Sequence, residues 1–328
     1  MIGAHHSQRG SHAWLFILLR WVAGLAVLAI LLHFLPLHQL RGAISRVPPS
    51  RFLAVLAGYL LAHTIGVAKW RMVVNAAGAK LDFATSARCY FGGLFGSLFL
   101  PSILGGDAVR LAVGLQRSPR PAAVLAGNVI DRFLDLLAQA GLLIMGMALI
   151  PESELLPEDL EDMVQNVFLG VVCGIILLVS VVFLLRKRVL RGRSMRFRRR
   201  LTRLRHALRS VSKRRRVLIF GWLAGTFIQA AFLLLTAGVA VYCGLLLPLR
   251  LWFFAWPLAK LAAMLPLTQG GIGIREAALV ALLAPFGAPR HLVLAAGLIW
   301  EAVVIAGGLI AAAIAFLLRA GQRDTPIR

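Results

Sequence analysis

Acidic residues are scarce in this chain: 13 Asp and Glu among 328 residues, with none between Met163 and Arg275. Charged residues of both signs make up only 15%, and there are three cysteines and three tyrosines. A soluble domain carries about 25% charged and about 45–50% apolar residues. Here the hydrophobic share is 59% and the mean hydropathy is +0.82. A water-soluble fold of this size would lack the polar surface to cover itself. Cys89, Cys173 and Cys243 lie in apolar runs, are odd in number and show no CxxC spacing, which argues against a disulfide framework and a metal site. His5, His6 and His12 fall in a polar N-terminal tail with no ligand set around them. No HExxH, GxSxG or P-loop pattern and no nucleophile–base arrangement is present. Enzymatic activity is therefore the weaker class, and no cofactor or metal is expected.

What the chain does have is long apolar stretches. A membrane-spanning helix needs about 20 mostly apolar residues. Such runs occur at about 13–35, 51–75, 121–150, 163–185, 217–247 and 290–318. Two further regions, about 83–116 and 251–286, are apolar but broken in the middle by Pro and Gly. The expectation is an all-α integral membrane protein, a single membrane domain over 1–328. The first run exceeds the apolar core of about 7–15 residues found in signal peptides, and no small-x-small pattern follows it, so it reads as a retained helix.

The net charge of +23 comes from 31 Arg and 5 Lys. Sixteen of the 36 basic residues lie between Arg186 and Arg216. Without interleaved aromatics or a recognisable motif this stretch does not point to nucleic acid. It reads as a cytoplasmic loop, 186–216, obeying the positive-inside bias and touching anionic headgroups. The acid-rich connection 151–162 then lies outside, and both termini lie in the cytoplasm of a bacterial-type inner membrane. On this topology 83–116 enters and returns on the cytoplasmic side and 251–286 on the outer side. Each is then a re-entrant hairpin, giving six full spans and two hairpins. The alternative is that each broken region supplies two thin or tilted spans; Arg41 and Arg46, on a loop placed outside, weigh on that side.

The two broken regions share one pattern. Leu100, Pro101, Gly105, Gly106 and Arg110 recur as Leu265, Pro266, Gly270, Gly271 and Arg275, both spelling L-P-x-x-x-G-G-x-x-x-R. Each is followed by an Ala-Gly pair with an acid four residues after the Gly: Gly127 with Asp131, and Gly297 with Glu301. Combined with the topology, this predicts two inverted repeats, about 13–150 and about 163–319, an architecture that recurs among secondary transporters.

Broken helices leave backbone groups unpaired, which lipid tolerates only where they line a polar cavity. A half-helix starting at Gly105–Gly106 or Gly270–Gly271 would aim free N–H groups at an anion. Arg110 and Arg275, one turn further on, could hold phosphate through two parallel hydrogen bonds. Asp107, Asp131, Asp135, Glu276 and Glu301 lie in or beside apolar runs, where each costs about 3 kcal/mol at a helix centre unless paired or wet. Asp107 and Arg110 are spaced to pair, Arg132 adjoins Asp131 and Asp135, and Glu301 needs a distant partner, Arg275 or Lys260. Lys69, Trp70 and Arg71 read as interfacial anchors.

These residues carry a resemblance. Lys69-Trp70-Arg71, Leu100-Pro101 with Gly105 to Arg110, Asp131-Arg132, and Leu265-Pro266 with Gly270 to Glu276 together resemble the lysylphosphatidylglycerol synthase transmembrane-region family. The family occurs fused to that synthase and as stand-alone membrane proteins. The resemblance covers nearly the whole chain. It implies an inner-membrane protein that moves a lipid or its headgroup between leaflets. In the fused proteins that lipid is aminoacylated phosphatidylglycerol. The chain is expected to be a stand-alone form without the synthase domain, and it has Asp131 where the family leads one to expect Glu before the Arg, so the substrate does not transfer; hopanoid, glycolipid and polyprenyl-phosphate lipids are also candidates. The expected ligand is an anionic or phosphate-bearing lipid held by Gly105, Gly106, Asp107, Arg110, Asp131, Arg132, Gly270, Gly271, Arg275, Glu276 and Glu301. The competing expectation is a non-transporting subunit that presents a lipid to a partner lipid-modifying enzyme.

Overall fold

The computed structural model describes residues 37–100, 105–151, 195–264, 268 and 271–320, with isolated positions between 22 and 33. The runs at 13–35 and 163–185, the acids 152–162, Pro101, Pro266 and Gly270 lie outside the described residues. Those residues form ten α-helices and no strand. In chain order they are α1 (Leu37–Ser45), α2 (Pro49–Ala76), α3 (Phe83–Gly96), α4 (Gly105–Arg117), α5 (Pro121–Ala148), α6 (Met195–Ser212), α7 (Arg215–Tyr242), α8 (Leu249–Ala262), α9 (Ile274–Leu283) and α10 (Arg290–Ala320).

Local chemistry sets the boundaries. Pro49 and Pro121 open α2 and α5 at positions where the missing N–H costs nothing. After α2 the chain turns through Gly78. Asn75 closes that turn, exchanging bonds of 2.8 Å with the Leu81 amide and carbonyl. Asp82 then caps α3 by accepting from the Thr85 N–H at 3.2 Å.

Three helices are long and apolar enough to cross a membrane: Pro49–Ala76, Arg215–Tyr242 and Arg290–Arg319. Helix α5 has the length, 28 residues, but carries Asp131, Arg132 and Asp135 in its middle. Each broken region folds as a pair of short helices packed on one another, α3 on α4 and α8 on α9. These four hold 14, 13, 14 and 10 residues. At 1.5 Å per residue none exceeds about 21 Å, short of a hydrocarbon core about 30 Å thick.

Contacts at the helix ends fix relative directions. Ser118, just before α5, donates to the Ala79 carbonyl, just after α2, at 2.7 Å. The α3–α4 pair therefore leaves and returns at one end of the bundle. Ser210, just before α7, donates to the Ala76 carbonyl at 3.1 Å. At the opposite end Arg46, just before α2, reaches the Cys243 carbonyl, just after α7, at 3.5 Å. Helices α2 and α7 are thus antiparallel. Helix α5 runs away from the Ser118 end, and its Gly146 abuts Phe253 and Phe254 near the start of α8. Helix α10 runs alongside α2, with Trp300 against Tyr59 and Ala311 clustered with Val67.

Packing repeats with an offset of five helices. The contacts α1–α10, α2–α3, α2–α5, α3–α4, α3–α10, α4–α5 and α5–α7 have the counterparts α6–α5, α7–α8, α7–α10, α8–α9, α8–α5, α9–α10 and α10–α2. The largest core cluster joins Tyr59, Phe232, Trp252, Phe254, Trp256 and Trp300. A second surrounds Trp70, Val74, Cys89 and Val124, and is closed by Ala207 and Val211 of α6. Large apolar side chains stay exposed around the outside, among them Leu53, Leu61, Phe220, Phe227, Leu309 and Phe316. A girdle of that size fits hydrocarbon rather than water. The basic stretch 186–216 is thus in part a helix, α6, clamped by its apolar face and presenting Arg199, Arg203, Arg205 and Arg209 outward.

Candidate functional site

The break between α3 and α4 depends on glycine at a close helix crossing. A Cβ on Gly106 would sit 2.5 Å from the Gly93 carbonyl oxygen, and one on Gly93 would sit 2.7 Å from the Gly106 oxygen. Both are backbone contacts with no room to yield, so the pair must be glycine for α4 to lie this near α3. Helix α4 includes Gly105 and Gly106, while 101–104 before it lie outside the described residues, and it brings Asp107 and Arg110 into the bundle.

There they meet α2 and α5 in one ionic cluster. Arg110 donates to Asp107 at 2.6 Å and approaches Asp131 to 3.6 Å. Arg132 lies 2.8 Å from Asp107, 3.3 Å from Asp135 and 4.0 Å from Asp131. Lys69 lies 2.9 Å from Asp131 and 2.5 Å from Asp135. Three cations and three carboxylates form a closed, neutral network, which is what burial of such groups demands. The Arg110 guanidinium sits over the faces of Trp70 and Tyr90, 5.3 and 5.2 Å from the ring centroids.

The interfacial reading of Lys69 and Trp70 does not hold. Lys69 is 5% exposed and Trp70 fully buried. The indole N–H donates to Asn128 at 3.1 Å. Lys69 lies seven residues before the end of α2, deep enough to face the α5 acids rather than the headgroups. Arg71 alone stays near the end, donating to the Leu81 carbonyl at 3.2 Å.

The second hairpin is built differently. Gly271 and Gly273 take φ of +81° and +83°, a left-handed backbone that favours glycine. Helix α9 therefore starts at Ile274, past the Gly pair, and the Gly273 N–H donates to Glu276 at 2.8 Å. Its N-terminus is occupied by its own carboxylate instead of standing open to an anion. Arg275 binds Glu276 at 2.8 Å and Glu301 of α10 at 2.5 Å. Of the two partners weighed for Glu301, Arg275 is the one in contact. In both halves the motif arginine thus faces the acid that follows the Ala-Gly pair. Gly297 lets Glu276 lie against α10, and Gly127 lets α5 lie against Val74.

Two adjoining cavities lie among these groups. One, about 310 Å³, is lined by Lys69, Gly106, Asp107, Arg110, Asp131, Arg132 and Asp135. The other, about 280 Å³, is lined by Arg275 and Glu301 with Tyr59, Trp256 and Trp300. His63, Ser97, Phe232 and Lys260 belong to both walls. Each is at the lower end of ligand-pocket volumes, about 300–1,000 Å³. The wall of the second runs out to Phe99, Ile305 and Leu309, which are 50%, 41% and 54% exposed on the apolar outer face.

With charged groups, glycine hairpins and paired motifs in place, the whole pattern can be compared with known families. The pattern of the lysylphosphatidylglycerol synthase TM region matches residues 20–312. The chain belongs to that family. No curated protein matches it. In this family member the matched stretch takes in both hairpins and every charged residue of the two clusters.

Of the residues predicted for the site, Gly105, Gly106, Asp107, Arg110, Asp131 and Arg132 gather around the first cluster, and Arg275, Glu276 and Glu301 form the second. Gly271 shapes the turn into α9. Sequence reasoning missed Lys69, His63, Gln139 and Lys260 as wall residues. Lys69 and Lys260 carried a usable signal, since a charge inside an apolar run is by default functional. His63, Gln139 and Gln229 carried none, because polar side chains in apolar helices are common in cores.

Proposed function

We propose that this protein is a lipid flippase of a bacterial inner membrane that carries a phospholipid or lipid-linked headgroup between leaflets, without itself being an enzyme. The reading takes the chain as two inverted repeats with six spans and two re-entrant hairpins, the α6 end cytoplasmic along with both termini. The antiparallel α2 and α7, the offset-by-five packing and the short hairpin helices support it. So does the concentration of Lys80, Arg117, Arg120, the α6 arginines and Arg319 at one end.

The carrying observation is the pair of charged cavities between the hairpins, one opening past Phe99, Ile305 and Leu309 onto the lipid-facing surface. A headgroup can enter a polar, protein-lined interior while its acyl chains remain in hydrocarbon, which removes most of the barrier to crossing. The interior donors favour a phosphate-bearing headgroup.

The test is leaflet exchange in proteoliposomes, read by quenching of fluorescent lipids in the outer leaflet. Wild-type protein should accelerate exchange of at least one phosphate-bearing lipid, and Arg110→Ala or Arg275→Ala should slow it about tenfold or more. Exchange at the protein-free rate across phospholipid, glycolipid and polyprenyl-phosphate probes, with folded protein, refutes the reading. A second reading, a subunit presenting lipid to a lipid-modifying enzyme, draws on the exposed basic face of α6. It predicts lipid retention without exchange.

A further inference from the structure

The charges of the interior do not all find partners. Lys69, Arg110, Arg132 and Arg275 each lie within 4.0 Å of a carboxylate oxygen. Among the described residues Lys260 does not. Its ammonium donates to the Gln229 side-chain oxygen at 2.5 Å and stands 5.2 Å from the centroid of the Phe232 ring. It occupies the last turn of α8, immediately before the second break, and lines both cavities. The excess negative charge of the second cluster sits on Glu276 and Glu301. Their oxygens are engaged by Arg275 and the Gly273 N–H, beyond 4.0 Å from Lys260.

Other polar atoms of the cavity walls point the same way. Arg110 Nε, Gln139 Nε2 and Trp256 Nε1 have no hydrogen-bond acceptor among the described residues. Arg110, Gln139 and Trp256 are 3%, 3% and 2% exposed, and they line the first, first and second cavity. All three atoms are donors; His63 Nε2, on both walls, is likewise without a partner and donates or accepts according to its tautomer. A buried donor without an acceptor is costly, and so is a cation without a counter-charge. A ligand that answered both would bring several acceptor oxygens and one negative charge. A phosphodiester brings both.

Building on the flippase reading, we propose that Lys260 is the phosphate-binding residue at the junction of the two cavities and selects a lipid carrying a phosphodiester monoanion. The ammonium is shared by both walls, so the phosphate keeps this contact while the remainder of the headgroup passes from the donors of one cavity to those of the other. Lysine suits this role. It is a compact charge on a flexible stem, whereas the arginines are locked in planar pairs with carboxylates.

The experiment titrates detergent-solubilised protein with short-chain phosphatidylglycerol, with diacylglycerol of the same chain length, and with inorganic phosphate, following the unfolding temperature. Lys260→Met should weaken phosphatidylglycerol binding about tenfold or more, the scale of one charge-assisted hydrogen bond. Lys260→Arg should keep most of the affinity, and diacylglycerol binding should not change. The empty Lys260→Met protein should unfold at a higher temperature than wild type, because an uncompensated charge has been removed. Equal phosphatidylglycerol affinity in wild type and variant overturns the proposal, as does an equal loss for diacylglycerol or a fall in the empty protein's unfolding temperature. Inorganic phosphate binding as tightly as the lipid assigns the site to a free anion and overturns the lipid assignment. If Lys260→Met does not fold, Lys260→Gln takes its place. Lys260-dependent lipid binding without leaflet exchange sinks the transport reading and leaves this one standing.

Discussion

Replacing Lys69 by Met removes the ammonium that lies 2.9 Å from Asp131 and 2.5 Å from Asp135. The first cluster would then hold three carboxylates against two cations, with Lys69's side of the cavity almost closed to solvent. Breaking a buried pair costs about 3–5 kcal/mol. Arg110 remains 3.6 Å from Asp131 and Arg132 remains 3.3 Å from Asp135, so both acids keep a partner. That puts the expected loss near the lower end, about 3 kcal/mol. At about 2 °C per kcal/mol for a long chain, the unfolding temperature should fall by about 6 °C. A thiol-reactive dye suits the measurement, because Cys89 and Cys243 are both fully buried and lie in different halves. The double variant Lys69→Met, Asp135→Asn restores charge parity. It should recover at least half of the loss, so the coupling is about 1.5 kcal/mol plus whatever Asp135→Asn costs alone. A surface anchor at this position would cost about 0–1 kcal/mol when removed. A fall of less than 2 °C for Lys69→Met, or a double variant as unstable as the two singles added together, would refute the reasoning.

Gly127→Ala should destabilise more than Gly297→Ala, although the two occupy matching places in the sequence pattern. The added carbon meets the Val74 Cα at 2.5 Å in the first case, and the movable Glu276 Cγ at 2.8 Å in the second. Thermal unfolding should show about 1–3 kcal/mol for Gly127→Ala and clearly less for Gly297→Ala; equal losses would count against the packing argument. Trp70→Phe should cost about 1–3 kcal/mol, because the buried Asn128 oxygen loses its indole donor. A neutral result in the same assay would mean that another donor replaces the indole.

Much of the architecture was legible because the membrane imposes simple rules. Run length separated the long helices from the two broken regions, and the Gly-Gly pairs located the breaks. The place of Gly105 and Gly106 in α4 was readable from the Gly pair itself. The start of α9 was not, because Glu276 folds back onto Gly273 and moves the helix start past the Gly pair. The pairing of Asp107 with Arg110 followed from helix spacing, and that of Glu301 with Arg275 from the need to neutralise an acid in an apolar run. Lys69 was misplaced for a geometric reason. The run 51–75 matched α2 to within a residue at its end, but a Lys-Trp-Arg triplet near that end was read as facing the interface, while Lys69 turns inward to Asp131 and Asp135 of α5. Residues such as Gln229 and His63 gain meaning only from what α8 and α3 bring beside them, and one-dimensional patterns do not contain that.

The repeated motif conceals an inequality with consequences for how each hairpin is held. In the first, Asp107 and Arg110 of α4 both engage α5, through Arg132 at 2.8 Å and Asp131 at 3.6 Å, so two ionic contacts tie hairpin to helix. In the second, Arg275 spends one contact on its neighbour Glu276, and its single ionic contact to α10 is with Glu301. A kink needed only for packing would require none of these groups, since each charge taken from water must be repaid by a partner. Counting Lys260, the cavity side of the first cluster carries one more positive charge than negative, and the second cluster one more negative than positive. The interior is thus neutral as a whole and polarised along the line joining the cavities. Lys260 stands where that polarity changes sign.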